Sequence, residues 1–227
     1  MFTRLFIVFT MILSIGCMGA DNHGVYNTMI AKNTEKFIKY FDLSLDQESA
    51  EPFKITPVQI LQSPLFDKFE LKGYSCEVNK SDGVVSEVYI YERNEKIARV
   101  QLRVTDTRRD SIIELGRWLT DSSMITDHLL LQYEMEKNKI GENCFYFKKF
   151  YDKHTSRYSH ENCPFFFVRH GIIVSLDNIT TACPVGELAK TIDDKILKAL
   201  AETGKKGEEK LNPKKQVKPG QTPASTK

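Results

Sequence analysis

The chain has 227 residues, 41% of them hydrophobic, 27% charged and 11% aromatic, a balance that excludes a wholly disordered, collagen-like or coiled-coil protein. The net charge of +2 is unevenly spread: residues 1–20 carry only Arg4, residues 204–227 carry seven Lys against Glu208 and Glu209, and residues 21–203 keep a net of −4. A weakly acidic body with a basic tail does not suit nucleic-acid binding, which needs a basic folded face.

The N-terminus speaks first. After Arg4 comes Leu5–Ile15 (LFIVFTMILSI), an apolar run of eleven residues interrupted only by Thr10 and Ser14. Crossing a bilayer as a helix takes about 20 residues, so this run is too short for a permanent span. A charged start, a short apolar run and small residues after it describe an export signal over residues 1–20. Within it, Ser14-Ile15-Gly16-Cys17 resembles the lipobox of bacterial lipoproteins. The resemblance implies that Cys17 is acylated and becomes the new N-terminus. Gly16 and Cys17 match that motif, whereas Ser14 stands where the family usually has Leu, and Leu13 is one place early. Ordinary cleavage after Cys17-Met18-Gly19, or after Ala20, is the alternative. Acylation would hold the protein on a membrane surface without spanning it.

Residues 21–203 read as one α+β domain, an antiparallel sheet of about five strands with helices on one face. Met29, Ile30, Phe37, Ile38 and Phe41 recur at helical spacing over 27–41. Beyond the Pro52–Pro64 stretch come three strand-like segments, Phe69–Val78, Val84–Arg93 and Lys96–Thr105. The turn-like links Asn79-Lys80-Ser81-Asp82-Gly83 and Asn94-Glu95 make them an antiparallel meander, and their alternation gives the sheet one wet face. A helix opens near Asp110, with Asp106 or Thr107 as its cap and Ile112, Ile113, Leu115, Trp118 and Leu119 as its apolar side. Residues 124–140 fit either a helix or a buried strand. Two further strands follow, Cys144–Phe150 and Cys163–Leu176, with a candidate break at His170-Gly171. The last helix keeps Val185, Leu188, Ala189, Ile192, Ile196 and Leu200 on one face, with Pro184 in its first turn. The tail 204–227 holds almost no apolar residues and is expected not to order itself.

Cysteine usage agrees with export. Setting Cys17 aside leaves Cys76, Cys144, Cys163 and Cys183, an even number that fits two disulfides. A Cys144–Cys163 bridge would clamp the two aromatic strands, leaving Cys76–Cys183. With no C-x-x-C pair, neither a thioredoxin-like motif nor a zinc ribbon is present.

Catalytic signatures are missing. There is no G-x-S-x-G elbow, Walker loop, G-x-G-x-x-G, H-E-x-x-H or EF-hand loop. His154, His160, Glu161 and Cys163 crowd one segment, but their spacing fits no metal-ligand pattern and reads as a polar loop between strands. A Cys163–His170 nucleophile would need an unpaired thiolate and an orienting group. Asp193-Asp194 reads as solvated helix surface, and Phe165-Phe166-Phe167 as core. Asn79-Lys80-Ser81 and Asn178-Ile179-Thr180 match the glycosylation sequon. The expectation is an exported, non-enzymatic binding module with no catalytic residue, metal or cofactor. Its partner would be a protein, peptide or envelope polymer, and it would touch membrane only through Cys17 or the basic tail. A small secreted hydrolase with a site hidden from sequence is the alternative.

Overall fold

The computed structural model describes residues 21–43, 45, 70–81, 84–121 and 132–211. The export signal, the Pro52–Pro64 stretch, most of the ambiguous segment before Tyr133 and the end of the tail lie outside the described residues. The fold is α+β, as its alternating and helical segments lead one to expect. Its sheet has seven antiparallel strands where about five were expected. The contacts gather into two compact units, residues 1–45 with 112–131, and residues 46–111 with 132–227. No helix among the described residues is long and apolar enough to cross a membrane.

The larger unit holds the sheet. Strands β1 (Ser75–Ser81), β2 (Val85–Glu92) and β3 (Glu95–Val104) form the expected meander. They are followed by β4 (Tyr133–Lys137), β5 (Asn143–Phe147), a separate two-stranded hairpin of β6 (Tyr151–Asp152) and β7 (Arg157–Tyr158), then β8 (Pro164–Arg169) and β9 (Ile172–Asn178). The order across the sheet is β1-β2-β3-β9-β8-β5-β4. The count rose for two reasons. His170 and Gly171, at φ 46 and 77, make a two-residue turn that splits the segment read as one strand. The ambiguous stretch also supplies β4. The β2–β3 turn lies one residue earlier than expected, at Arg93 and Asn94, both of positive φ.

Strand alternation builds the core. In β3, Ala98, Val100, Leu102 and Val104 are buried on one face, while Arg99, Gln101 and Arg103 alternate onto the other. A bulge opposite Ile90 and Tyr91 lets both Ile97 and Ala98 turn inward. Onto the buried face packs α3 (Val185–Leu211), by the stripe read from its sequence. Burying a side chain such as Ile192 or Ile196 contributes about 1.5–3 kcal/mol. The helix runs seven residues past the start of the expected tail at 204, through Leu211. Lys, Glu and Leu are good helix formers, so the chain continues the turn despite Gly204 and Gly207.

The smaller unit is built on helix α1 (Asp21–Tyr40), which ends in a left-handed Asp42. The N–H of Leu43 donates to Ile38 O at 3.0 Å and that of Asp42 to Lys39 O at 3.3 Å, a Schellman closure. Helix α2 (Arg108–Asp121) opens as expected: Thr107 Oγ1 accepts the Asp110 N–H at 3.1 Å and donates to the Asp110 carboxylate at 2.7 Å. From Ile112 onward it belongs to the smaller unit, where Ile112, Leu115 and Leu119 are buried, as are Thr34, Phe37 and Phe41 of α1 and its end. Gly116 is the point of closest approach. A Cβ there would stand 2.9 Å from Thr34 Cγ2 and 3.1 Å from Phe37 Cδ1. Gly116→Leu is therefore expected to cost about 1–3 kcal/mol by overpacking, read as a lower urea midpoint. An unchanged midpoint would mean that the two helices do not meet there.

Candidate binding face

The second face of the sheet is divided. On β9, β8, β5 and β4 it carries Ile173, Val168, Phe166, Phe145 and Tyr133, all buried. On β1, β2 and β3, continued by Asp177 of β9, it is largely polar, exposed on β1 and half-buried on β2 and β3. Register sets Glu77, Tyr89, Arg99 and Asp177 side by side in one row across four strands. The neighbouring row holds Glu87, Gln101 and Ser175.

These side chains hold one another in place. Arg99 donates to Asp177 Oδ2 through Nη2 at 2.6 Å and Nε at 3.1 Å, and that carboxylate raises the Arg99 pKa. Tyr91 Oη donates to Glu77 Oε2 at 2.9 Å, which raises the phenol. Gln101 Nε2 donates to Glu87 Oε2 at 3.3 Å and Asn79 Nδ2 to Oε1 at 3.4 Å. Partial burial works to raise the Glu87 carboxyl, but these donors outweigh it and the pKa falls. Lys96 Nζ sits over the Tyr89 ring, 3.6 Å from its centroid. The result is a pre-ordered array of polar groups. Its hydrogen-bonding edges and rings suit a chain lying across the strands.

The cysteines correct the sequence reading. Cys76, Cys144, Cys163 and Cys183 are all free thiols. Register shows why Cys144–Cys163 cannot close: Cys144 stands opposite Phe167, four residues from Cys163 along β8. Four extended residues span roughly 13 Å, far beyond the ~7 Å Cα limit of a disulfide. The hairpin β6–β7, inserted between the strands, carries the chain away before Cys163. Cys76, in edge strand β1, and Cys183, just before α3, are unbridged as well. Burial raises all four thiols, Cys144 to about 11 and Cys183 to about 12. Cys17 lies outside the described residues.

The histidines separate too. Cys163 and His170 lie at opposite ends of β8, seven extended residues or roughly 20 Å apart. His160 packs edge-on against Phe150 at 4.4 Å, and His154 sits in the β6–β7 turn. Among the described residues no group of His, Cys, Asp and Glu is placed to hold a metal ion. His170 does approach a carboxylate, its Nδ1 3.6 Å from Glu142 Oε1. Arg108 Nε takes the other oxygen of Glu142 at 2.6 Å, so this carboxylate ties the start of α2 to two turns.

Asp193 was misplaced by sequence. It is 4% exposed, and Arg169 grips it through Nε to Oδ1 and Nη2 to Oδ2, each at 2.7 Å. The Gly141 N–H donates to the same carboxylate at 2.8 Å. Only glycine fits at 141: φ is +66, and a Cβ would meet Val168 O at 2.5 Å. The signal was in the helix spacing, since Asp193 falls four residues after Ala189 and three before Ile196, on the apolar stripe. Asn178 is likewise buried; its Nδ2 donates to His160 O at 2.7 Å and its Oδ1 accepts the Cys163 N–H at 2.8 Å. That sequon therefore cannot carry a glycan in the folded protein.

At the β4 edge, Lys153 Nζ donates to Glu134 Oε1 at 2.6 Å and Glu136 Oε1 at 2.9 Å. Burial pushes the Glu136 carboxyl up, yet bonds from Lys153 and Lys139 outweigh it and bring it down to about 2. A carboxyl lowered on folding stabilises fully above its ordinary value of 4.5, and that contribution is lost as pH falls toward 2. The stability deficit of Glu136→Gln should accordingly be present at pH 6 and shrink at pH 2.5. Urea midpoints at the two pH values check this; an equal deficit at both would rule the pairing out.

No family model, curated protein or solved structure matches the chain. The site must therefore be read from its own geometry.

Proposed function

We propose that the protein is an exported, non-enzymatic binding module of the cell envelope, and that the polar rows on β1, β2 and β3 receive its ligand. The observation that carries this reading is the Glu77–Tyr89–Arg99–Asp177 row, exposed at Glu77, half-buried at the other three and ordered by its own contacts. Pre-ordered groups lose little entropy on binding. An accessible row of polar groups and rings suits an extended polar chain, and an envelope polymer fits it best. Export itself is read from the N-terminal segment, because the free thiols remove the cysteine argument.

The probe is envelope polymer isolated from the native host. Wild-type protein should co-sediment with it, and Tyr89→Ser with Arg99→Ser should weaken retention by about tenfold or more, a loss typical of central contact residues. Full retention by that variant would exclude the face. Failure of the wild type to bind the polymer would exclude this ligand class. Intact mass of the exported protein should lack residues 1–16 or 1–20; retention of Met1 would sink the export reading.

The hydrolase alternative draws on the approach of His170 to Glu142. It predicts a hydrolytic activity that His170→Ala abolishes.

A further inference from the structure

We infer that the outward face of α1 is a contact surface for anionic phospholipid. In α1 the buried positions Thr34 and Phe37, continued by Phe41 beyond its end, follow the i, i+3, i+7 spacing of one helix face. At about 100° per residue, Lys32, Lys36 and Lys39 fall on the opposite side, with Met29 and Tyr40 toward one flank and Glu35 toward the other. All six, Glu35 included, are exposed. Met29 and Tyr40 are 45% and 49% exposed, large apolar groups at the two ends of a lysine stripe. Apolar and aromatic side chains flanking cations on one helix face are the chemistry of a helix lying in a membrane interface.

A second observation selects lipid as the occupant. Only Met18, Gly19 and Ala20 separate Cys17 from the start of α1 at Asp21. A fully extended link of that length reaches at most about 14 Å. If Cys17 is acylated, the anchor holds this helix at the headgroup layer. Acyl chains plus a basic patch are two signals, the combination that makes lipid anchoring durable. The inference rests on the export reading, but the face itself can be tested without acylation.

The experiment uses residues 18–227, which lack Cys17 and so carry no acyl group, with vesicles of phosphatidylcholine alone or with about one-third phosphatidylglycerol. Each lysine near an anionic surface is worth about fivefold in affinity, so Lys32→Gln, Lys36→Gln and Lys39→Gln together should weaken binding to the anionic vesicles about 25-fold or more. Met29→Ser with Tyr40→Ser should weaken it about tenfold. The same charge removed elsewhere, by Lys72→Gln, Lys148→Gln and Lys149→Gln, should change it less than about threefold. The basic tail is common to every chain compared, so its pull cancels. Equal losses from the two lysine triples, or no loss from the α1 triple in a variant with unchanged circular dichroism, would overturn the inference. Intact mass of host material reports acylation separately. An acylated protein whose α1 triple binds normally would keep its anchor and lose this face.

Discussion

Replacing Asp193 by Asn is expected to lower the stability of the sheet-bearing unit by about 3–5 kcal/mol, the cost of leaving a buried charge without its partner. The substitution hardly changes volume, so the loss reads electrostatics and hydrogen bonding and no cavity. Arg169 would keep its charge with a side chain only 18% exposed, facing an amide that cannot neutralise it. Urea denaturation of the two proteins measures the difference. The companion variant, Arg169→Met with Asp193→Leu, removes both charges and should recover most of the loss. It should stop about 1–3 kcal/mol short, because the buried Gly141 N–H then has no acceptor. A deficit below about 1 kcal/mol for Asp193→Asn would mean that water reaches the pair and screens it.

Asp193 also shows what kind of information the sequence holds. Its place on the apolar stripe of α3 was legible from spacing, but its partner was not. Arg169 ends β8, and only the turn between β4 and β5 brings the Gly141 N–H to the same carboxylate. The meander was legible because β1, β2 and β3 are neighbours in sequence and alternate cleanly. The polar row was half-legible. Glu87 and Tyr89, then Arg99 and Gln101, alternate visibly, yet β3 pairs with β9 across 78 residues, which places Asp177 against Arg99. The cysteine pairing failed on the same ground. Two aromatic strands were rightly taken as neighbours, but the hairpin β6–β7 shifts where the second one begins, and composition carries no trace of register.

The four thiols give the other large expected effect. Unfolded in denaturant without reductant, the protein should release four reactive thiols from Cys76, Cys144, Cys163 and Cys183. In the folded state the reaction needs a thiolate, and burial suppresses it. With Cys144 raised to about 11 and Cys183 to about 12, their thiolate fractions at pH 8 fall about 100-fold and 1,000-fold below those of ordinary thiols. Steric exclusion slows them further. Cys76, half-buried on the edge strand, should react first. Labelling of native and unfolded protein, followed by peptide mapping, reads each site. Such thiols survive an oxidising compartment because they ionise little, and register holds Cys144 and Cys163 too far apart to bridge, so four free cysteines and export are compatible. Fewer than four in the unfolded, unreduced chain would mean a bridge. If that bridge joined Cys144 to Cys163, β8 would have to slide four residues along β5, exchanging the Phe167 pairing for Cys163. Arg169 would move with it, away from Asp193. The Asp193→Asn deficit and the thiol count therefore test one register by two independent routes.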